Sequence, residues 1–250
     1  MRTFTANLKN ELFKLSKRKK YLVFLILGGL LCVGSALRVL LVNFVTDTEL
    51  PRKALLGGLV SENMLFLLLL FLPLIAVMAS CDLFAGEQAD HTIRFSLMRP
   101  VGKGKLYFSK AAAVFLVCLA EMAVLLVVSI LAQVLLGGGT GGILSGAASC
   151  LLDLVPLGVL ILFFCFLNQL MKGSGLAVLV CLVVYIALVV VGTYQPAVGG
   201  LLFTGYLRWH NLWVGVTLPF FSLLSRIGML GGYGLVFACL GFLLFDRKEA

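Results

Sequence analysis

The residues of this chain that could do chemistry are few, and most lie outside its apolar runs. The two histidines, His91 and His210, are far apart, and no HExxH string occurs, so a zinc protease is not indicated. The seven cysteines stand singly, nearly all inside apolar runs, without a CxxC pair or a Cys/His cluster. We interpret them as small apolar side chains rather than disulfides or metal ligands. We therefore predict no catalytic, cofactor or metal site in this chain.

One segment is dense in charge, residues 84–105, FAGEQADHTIRFSLMRPVGKGK. It combines apolar and charged side chains, and then Pro100 and the glycines of VGKGK end any helix. A solvated connector would be shorter and less varied, so we predict a docking surface for a soluble partner, with the connector as the alternative. The predicted contact residues are Phe84, Glu87, His91, Thr92, Ile93, Arg94 and Pro100.

The chain has no nucleotide-binding motif of its own. A phosphate loop needs G-x-x-x-x-G-K-[ST] after a strand, and neither VGKGK nor GGGTGG (137–142) fits that pattern. Any ATP-driven step therefore requires a nucleotide site on another chain.

Two ionisable residues, Arg38 and Glu121, lie inside apolar runs, where charge is costly and usually faces protein or water. Counted from the starts of the predicted spans, their depths differ by ~6 Å at ~1.5 Å per residue. That separation is within reach of an arginine side chain. We predict either an Arg38–Glu121 pair or a polar lining of a path through the membrane.

The amino-acid composition indicates which environment surrounds these residues. Of 250 residues, 61% are hydrophobic and 12% are charged, and the mean hydropathy is +1.11, whereas a soluble domain has about 25% charged residues. The chain is thus predicted to be an integral membrane protein. Its net charge is +9. The basic residues flank apolar runs and are not interleaved with aromatic residues. We therefore expect anionic lipid, and not nucleic acid, as its counterpart.

Six spans of near 20 residues are predicted, at about 21–45, 59–81, 107–136, 147–169, 175–194 and 226–245. Placing the amino terminus in the cytoplasm puts fifteen of the twenty Lys and Arg residues inside and four outside. This asymmetry predicts a multi-pass protein of the cell membrane with both termini cytoplasmic. The segment 82–105 then faces the cytoplasm.

The first 20 residues are predicted to form an amphipathic basic helix. Phe4, Leu8, Leu12 and Leu15 recur at helical spacing, and Lys9, Glu11 and Lys14 fall elsewhere on the wheel. We expect this helix to lie on the inner leaflet against anionic lipid. A disordered tail that only sets topology is the alternative.

Other features are weaker signals. Gly228 and Gly232 form a GxxxG pattern, which predicts a helix-packing face, although glycine is common in membrane helices. The aromatic stretch 194–226 predicts an interfacial belt or short re-entrant helices. Within it, His210 has no evident partner, and Asp153 is interpreted as a solvated acid at the outer face.

The charged segment resembles the first cytoplasmic loop of ABC-2 type transporter permeases. The matching pieces are Glu87, His91-Thr92-Ile93, Pro100-Val101-Gly102-Lys103 and Ser109-Lys110. His91 and Gly102 depart from residues common in that loop, and Ser109 replaces a glycine. The layout of the whole chain, from the basic start to the long outer segment before the last span, is also similar.

The resemblance implies an all-α half-transporter of the type V exporter kind. It has six transmembrane helices, an N-terminal interfacial helix (1–20) before a transmembrane domain (21–250), and a cytoplasmic coupling helix within 82–105. It further implies a cytosolic ATP-binding subunit that holds ATP and Mg²⁺, and a second identical or related permease. The expected substrate is a hydrophobic or peptide-like compound, such as an antibiotic or bacteriocin. A non-transporting anchor or sensor, and an intramembrane enzyme, are the alternatives.

Overall fold

The computed structural model describes residues 2–45, 51–90, 92, 102–171, 173–213 and 219–247. Every regular element in these ranges is helical. An N-terminal helix, Arg2–Ser16, precedes six helices long and apolar enough to cross a membrane. We call them spans 1 to 6: Lys19–Val45, Lys53–Ala89, Lys103–Leu135, Ile143–Leu170, Ser174–Tyr194 and Phe220–Asp246. The prediction of an all-α membrane protein with six spans is confirmed.

Spans 2 and 4 are assembled from shorter helices. Span 2 contains Arg52–Leu56, Leu59–Phe66, a π-helical turn Leu67–Phe71, Leu72–Leu83 and Ala85–Ala89. Span 4 contains Ile143–Leu152 and Leu154–Leu170. A short helix, Pro196–Gly199, and two 3₁₀ turns, Phe203–Tyr206 and Trp209–Leu212, lie between spans 5 and 6.

The π-helical turn in span 2 lies just before Pro73. Proline has no amide hydrogen, so the carbonyl four residues earlier, that of Leu69, loses its usual helical donor. The Tyr185 hydroxyl of span 5 donates to the Leu69 carbonyl oxygen at 2.6 Å. A neighbouring span thus satisfies the backbone group that the proline leaves open, as a membrane interior requires.

Span 2 lies at the centre of the bundle, and its middle part is almost wholly buried. Short polar bonds join it to its neighbours: Asn63 Nδ2 donates to Ser129 Oγ of span 3 at 2.8 Å, and Asn168 Nδ2 of span 4 donates to Ser80 Oγ at 2.9 Å. Such bonds associate helices where no hydrophobic force distinguishes protein from lipid. Spans 1, 5 and 6 have most of their side chains exposed.

The N-terminal helix is formed as predicted, but it packs on the protein. Leu15 is fully buried, and Leu8 and Leu12 pack against the same core. Asn7 and Glu11 are also buried, with 7% and 2% of their surface exposed. At about 100° per residue, Glu11 lies only about 40° from Leu15. The prediction that Glu11 falls away from the apolar face was therefore wrong.

The side of the bundle that carries the N-terminal helix, the "amino-terminal side", also holds the end of span 2, the start of span 3 and the end of span 6. Phe84, Tyr107 and Phe245 pack there with ring centroids 5.6–6.3 Å apart. A Cβ at Gly241 would overlap the Tyr107 hydroxyl, so the close approach of span 6 to Tyr107 leaves no room for a larger residue at position 241. The other end of the bundle is called the "opposite side" below.

Candidate functional site

A buried lysine, Lys110, is the centre of a charge network on the amino-terminal side. Its Nζ lies 2.7 Å from Glu87 Oε2 and 3.4 Å from Glu11 Oε2, and it donates to the Leu83 carbonyl oxygen at 3.1 Å. The side chain is 0% exposed. Because a buried ammonium is stable only when paired and hydrogen-bonded, Lys110 fixes three segments relative to one another: the N-terminal helix, the end of span 2 and the start of span 3.

Lys14 completes this network from the N-terminal helix. Its Nζ lies 2.8 Å from Glu87 Oε1 and 2.9 Å from Glu11 Oε1. Burial alone would lower the pKa of Lys14, but the hydrogen bonds and charges of Glu87 and Glu11 outweigh it and raise that pKa above its ordinary value. Lys14 therefore carries its charge at neutral pH, so two lysines face two glutamates. We call these four residues the Lys110 network.

A second charged node surrounds Asp82, one turn before Glu87. Arg18 Nη1 lies 2.7 Å from Asp82 Oδ1, and Lys20 Nζ lies 2.6 Å from Oδ2. The Tyr21 hydroxyl donates to Oδ2 at 2.6 Å. These contacts tie the junction between the N-terminal helix and span 1 to the end of span 2. The basic start of the chain is thus held by acids of the protein as well as by any lipid.

Phe84 and Glu87, two of the predicted partner contacts, are buried. Phe84 is 1% exposed within the aromatic cluster, and Glu87 is 8% exposed within the Lys110 network. The prediction that these two side chains face a partner is wrong for this structure, because each is enclosed by its own chain.

The other predicted contacts lie farther along the loop. Thr92 is exposed, and its hydroxyl donates to the Glu87 carbonyl oxygen at 3.4 Å. The predicted coupling helix lies outside the described residues. So do the four remaining predicted contacts, His91, Ile93, Arg94 and Pro100.

Arg38 and Glu121 do not pair. Gly28 of span 1 lies against Leu125 of span 3, and Ala36 packs in one cluster with Ala132. With this register Arg38 lies level with about residue 135, roughly 14 residues or ~20 Å from Glu121. The predicted pair assumed that the two spans begin at one depth, but span 3 begins beside the N-terminal helix. Glu121 is buried, and its Oε2 has no hydrogen-bond partner in the described part of the chain.

Arg38 instead lines a polar cavity of about 330 Å³ between spans 1 and 2. Ser35 and Asn63 are hydrogen-bonded in its wall, Oγ to Oδ1 at 2.6 Å, and Glu62 also contributes to the lining. The remaining wall is mostly apolar and includes Leu31, Phe66 and Leu67. The cavity thus contains the guanidinium group of Arg38, the carboxylate of Glu62 and the amide of Asn63. The surface around them is otherwise apolar and suited to contact with lipid.

The GxxxG pattern does not pack against this chain. A Cβ at Gly228 or at Gly232 would meet no atom within 4 Å among the described residues. The predicted packing face is therefore open here, because span 6 turns it away from the bundle. In contrast, a Cβ at Gly234 would lie 3.4 Å from Val159 of span 4, so the packed face of span 6 includes a different glycine.

His210 and Asp153 form a pair on the opposite side. The His210 backbone amide donates to Asp153 Oδ1 at 2.8 Å, and His210 Nδ1 lies 2.6 Å from Oδ2. Asp153 is 4% exposed, so its interpretation as a solvated acid was wrong, as was that of a partnerless His210. The pair attaches the 3₁₀ turn Trp209–Leu212 to the break between the two helices of span 4.

The described residues show no cluster of three or more His, Cys, Asp or Glu side chains that could hold a metal. All seven cysteines are free, and all except Cys239 are buried. This arrangement provides mechanical rigidity and electrostatic contacts between helices. It consists of rigid charge pairs at both ends of a membrane bundle and polar groups between spans 1 and 2.

Most of the Lys110 network was missed from the sequence. Lys110 lies at the start of an apolar run, where it was counted among the orienting charges and in the Ser109-Lys110 piece of the resemblance, but no partner was predicted for it. One signal was available: Glu11 lies on the same helical stripe as Leu8 and Leu15, which predicts burial and therefore a basic partner.

The comparisons agree with this layout. The family model described as ABC-2 family transporter protein matches residues 7–192. The match includes every member of the Lys110 network and extends from the N-terminal helix into span 5. The comparison with curated proteins gave no match.

Proposed function

Because the chain belongs to the ABC-2 transporter family, we propose that it is the permease subunit of an exporter driven by an ATPase on a separate chain. The chain itself is a multi-pass membrane protein with six apolar helices. The observation that carries the proposal is the Lys110 network at the root of the charged loop. The sequence has no phosphate loop, so ATP and Mg²⁺ belong to the proposed partner.

The proposed partner docks on the loop between spans 2 and 3. Its contacts are Thr92, Ile93, Arg94 and Pro100, with His91 beside them, because Phe84 and Glu87 are enclosed by the bundle. This side of the bundle faces the cytoplasm in the proposal, in keeping with its excess of Lys and Arg. The apolar and basic side chains of this segment, such as Ile93 and Arg94, would then fill a groove of a soluble subunit.

The Lys110 network is proposed to transmit the motion of the ATPase. Glu87 is at the loop end of span 2 and Lys110 is at the start of span 3, and their side chains meet at 2.7 Å. A displacement of the loop therefore moves both spans together. Lys14 adds the N-terminal helix to the same rigid unit. Packed elements with fixed contacts move as bodies, which is how small displacements become domain motions.

The cavity that contains Arg38 is proposed to line the substrate path. Leaving an arginine against lipid costs about 3 kcal/mol or more, and Arg38 is exposed on the isolated chain. A second permease copy, or a related one, would cover spans 1 and 2 and enclose a polar path between the two. Such a path suits an amphipathic compound, for example a peptide-like antibiotic or bacteriocin.

Affinity purification tests the docking proposal. The tagged chain is isolated from its native membranes in mild detergent, as the parent and as the variants Ile93→Asp and Arg94→Glu. Leu144→Asp is the matched control, because Leu144 is 83% exposed at the start of span 4 on the opposite side. We expect an ATP-binding subunit in stoichiometric amount with the parent and the control, and its loss with the loop variants.

ATP turnover then separates transport from anchoring. The purified complex is reconstituted in vesicles, and candidate amphipathic peptides are added. Stimulated hydrolysis with vectorial movement of a peptide supports an exporter. A stable complex whose ATP hydrolysis no compound changes would favour the anchor or sensor. Failure to recover any ATP-binding subunit would contradict the proposal as a whole.

A further inference from the structure

A cavity of about 360 Å³ opens on the opposite side, between the end of span 5, the short helical segment that follows it and the start of span 6. Two arginines, Arg208 and Arg226, line it together with Tyr206 and Asn211. Its remaining lining is small and apolar: Gly192, Gly199, Gly200, Gly205 and Leu212. The cavity lies at the other end of the bundle from the Lys110 network.

The charge of this cavity is not balanced by the part of the chain that the structure describes. No acid lines it, and neither arginine is in an ion pair within those residues. Asp153 is close in the fold, because it binds His210, but both of its carboxylate oxygens are engaged by that residue. An arginine stays protonated in proteins. The cavity therefore presents two fixed positive charges.

The glycines that line the cavity are closely packed. A Cβ at Gly199 would overlap the Gly192 carbonyl oxygen, and one at Gly205 would overlap that of Gly199. The Tyr206 hydroxyl donates to the Gly200 carbonyl oxygen at 2.5 Å. Close backbone packing thus keeps this part of the lining, the glycine floor, free of side chains. Asn211 adds a neutral donor and acceptor at the rim.

The setting of the cavity indicates what kind of anion would enter. It lies at the ends of two spans, and its lining residues Gly192, Arg208 and Leu212 are close in sequence to Tyr194, Trp209 and Trp213. Such aromatic residues mark the level of lipid headgroups. A second cavity of about 300 Å³ shares Arg208 and two glycines with the first, and the rest of its lining is Leu69, Val189, Leu207, Thr193 and Thr204. An anionic group in the first cavity thus has apolar space beside it, as the headgroup of a lipid requires.

We propose that this cavity binds the phosphate of an anionic phospholipid, with Arg208 and Arg226 as its ligands. A guanidinium group matches the oxygens of a phosphate with paired N–H donors. The glycerol region would lie over the glycine floor, and one acyl chain would run along the second cavity. The inference concerns a site outside the proposed ATPase and substrate surfaces, and it does not depend on the proposed function.

The test measures lipid binding by the purified chain alone. The protein is placed in phosphatidylcholine nanodiscs, phosphatidylglycerol is titrated in, and bound lipid is counted by native mass spectrometry. The variants are Arg208→Gln, Arg226→Gln and the two together. Lys53→Gln is the control, since Lys53 is an exposed cation at the same side of the bundle, at the start of span 2, outside the cavity.

We expect the double variant to bind phosphatidylglycerol at least about tenfold more weakly than the parent, because it loses charge-assisted hydrogen bonds. The affinity of each single variant for phosphatidylglycerol should lie between those of the parent and the double variant. The affinity of Lys53→Gln should equal that of the parent. The thermal unfolding midpoint in plain phosphatidylcholine nanodiscs checks that the variants are folded. The single variants carry the same test if the double variant does not fold.

Two further arms identify the source of the phosphate. Inorganic phosphate at millimolar concentration should not displace the bound lipid. Displacement by it would contradict the lipid assignment and favour a soluble anion. Equal retention of phosphatidylcholine and phosphatidylglycerol, or binding that neither arginine variant changes, would overturn the site.

Discussion

The two sides of the bundle treat charge differently. On the amino-terminal side Lys14, Lys110, Glu11 and Glu87 neutralise one another within 3.4 Å, and Asp82 holds further cations. On the opposite side Arg208 and Arg226 line a cavity to which no acid of the described ranges contributes. Paired charges of the first kind hold a chain together, whereas unpaired charges of the second kind are available to something outside it.

This difference separates structural roles from binding roles more clearly than residue type does. Glu87 was predicted to contact a partner because it is charged and lies in a loop-like segment. Its burial and its two lysine partners show that it is part of the bundle. The arginines of the opposite side attract less notice in the sequence, but neither has an ion-pair partner among the residues that the structure describes. If pairing is a reliable guide to role, substitutions in the paired groups should affect stability more than those at unpaired positions.

The largest expected effect is that of Lys110→Met. The change leaves Glu87 and Glu11 with Lys14 as their shared cation, and removing one member of a buried pair costs about 3–5 kcal/mol. We expect a large loss of folded protein and a lower unfolding midpoint in mild detergent. The double variant Lys110→Met with Glu87→Gln should recover part of the loss, since it removes the orphaned charge. An unchanged midpoint in the single variant would show that the network is not structural.

The Asp82 node should have a smaller effect. Asp82→Asn keeps an acceptor for the Tyr21 hydroxyl but loses the charge that binds Arg18 and Lys20, which we expect to cost about 1–2 kcal/mol. Asp90→Asn is the matched control, because Asp90 is exposed and surface changes usually stay within about 0.5 kcal/mol. Unfolding midpoints of both variants in one detergent check the difference. Equal unfolding midpoints would show that the charge of Asp82 does not contribute to stability.

The fold was largely predictable from the sequence, and the site much less so. Twenty-residue apolar runs have one stable form in a membrane, so six helices follow from composition and length. Burial of polar residues depends on which helix faces which, and hydropathy carries little of that information. Arg38 and Glu121 illustrate this: the depth of each was counted from the start of an apolar run, but span 3 starts beside the N-terminal helix, and the resulting register was wrong.

The pairing of distant segments was the other limit. His210 and Asp153 are 57 residues apart in sequence, and nothing local to either residue indicates the other. The same holds for Glu11 and Lys110. Helical spacing could show that Glu11 shares a face with leucines, but it could not show which cation would come to meet it. Local patterns give faces, and tertiary packing decides partners.

The Asp153–His210 pair offers a third test, on the opposite side. Asp153→Asn removes the charge that holds the 3₁₀ turn Trp209–Leu212 but keeps an acceptor for the His210 amide, so we expect a loss of about 1 kcal/mol. The measurement is the unfolding midpoint together with the rate of limited proteolysis in the segment 199–219. Faster cleavage there with a small shift in midpoint would show a local role. A collapse of the whole bundle would show that the opposite side is held as firmly as the other.

The smallest expected effect on stability concerns the open face of span 6. Gly228→Ala and Gly232→Ala should leave the isolated chain unchanged or up to about 1 kcal/mol more stable, because alanine is the better helix former and an added Cβ meets nothing there. Gly146→Ala is the control that should destabilise, since its Cβ would lie 2.8 Å from Val60 Cγ1. Unfolding midpoints of the monomer compare the three. If a second permease packs on this face, Gly232→Leu should lower the cross-linked dimer fraction in membranes while the monomer stays folded. A dimer fraction unchanged by Gly232→Leu would place the contact on another face, and the cavity of Arg38 between spans 1 and 2 would be the next surface to test.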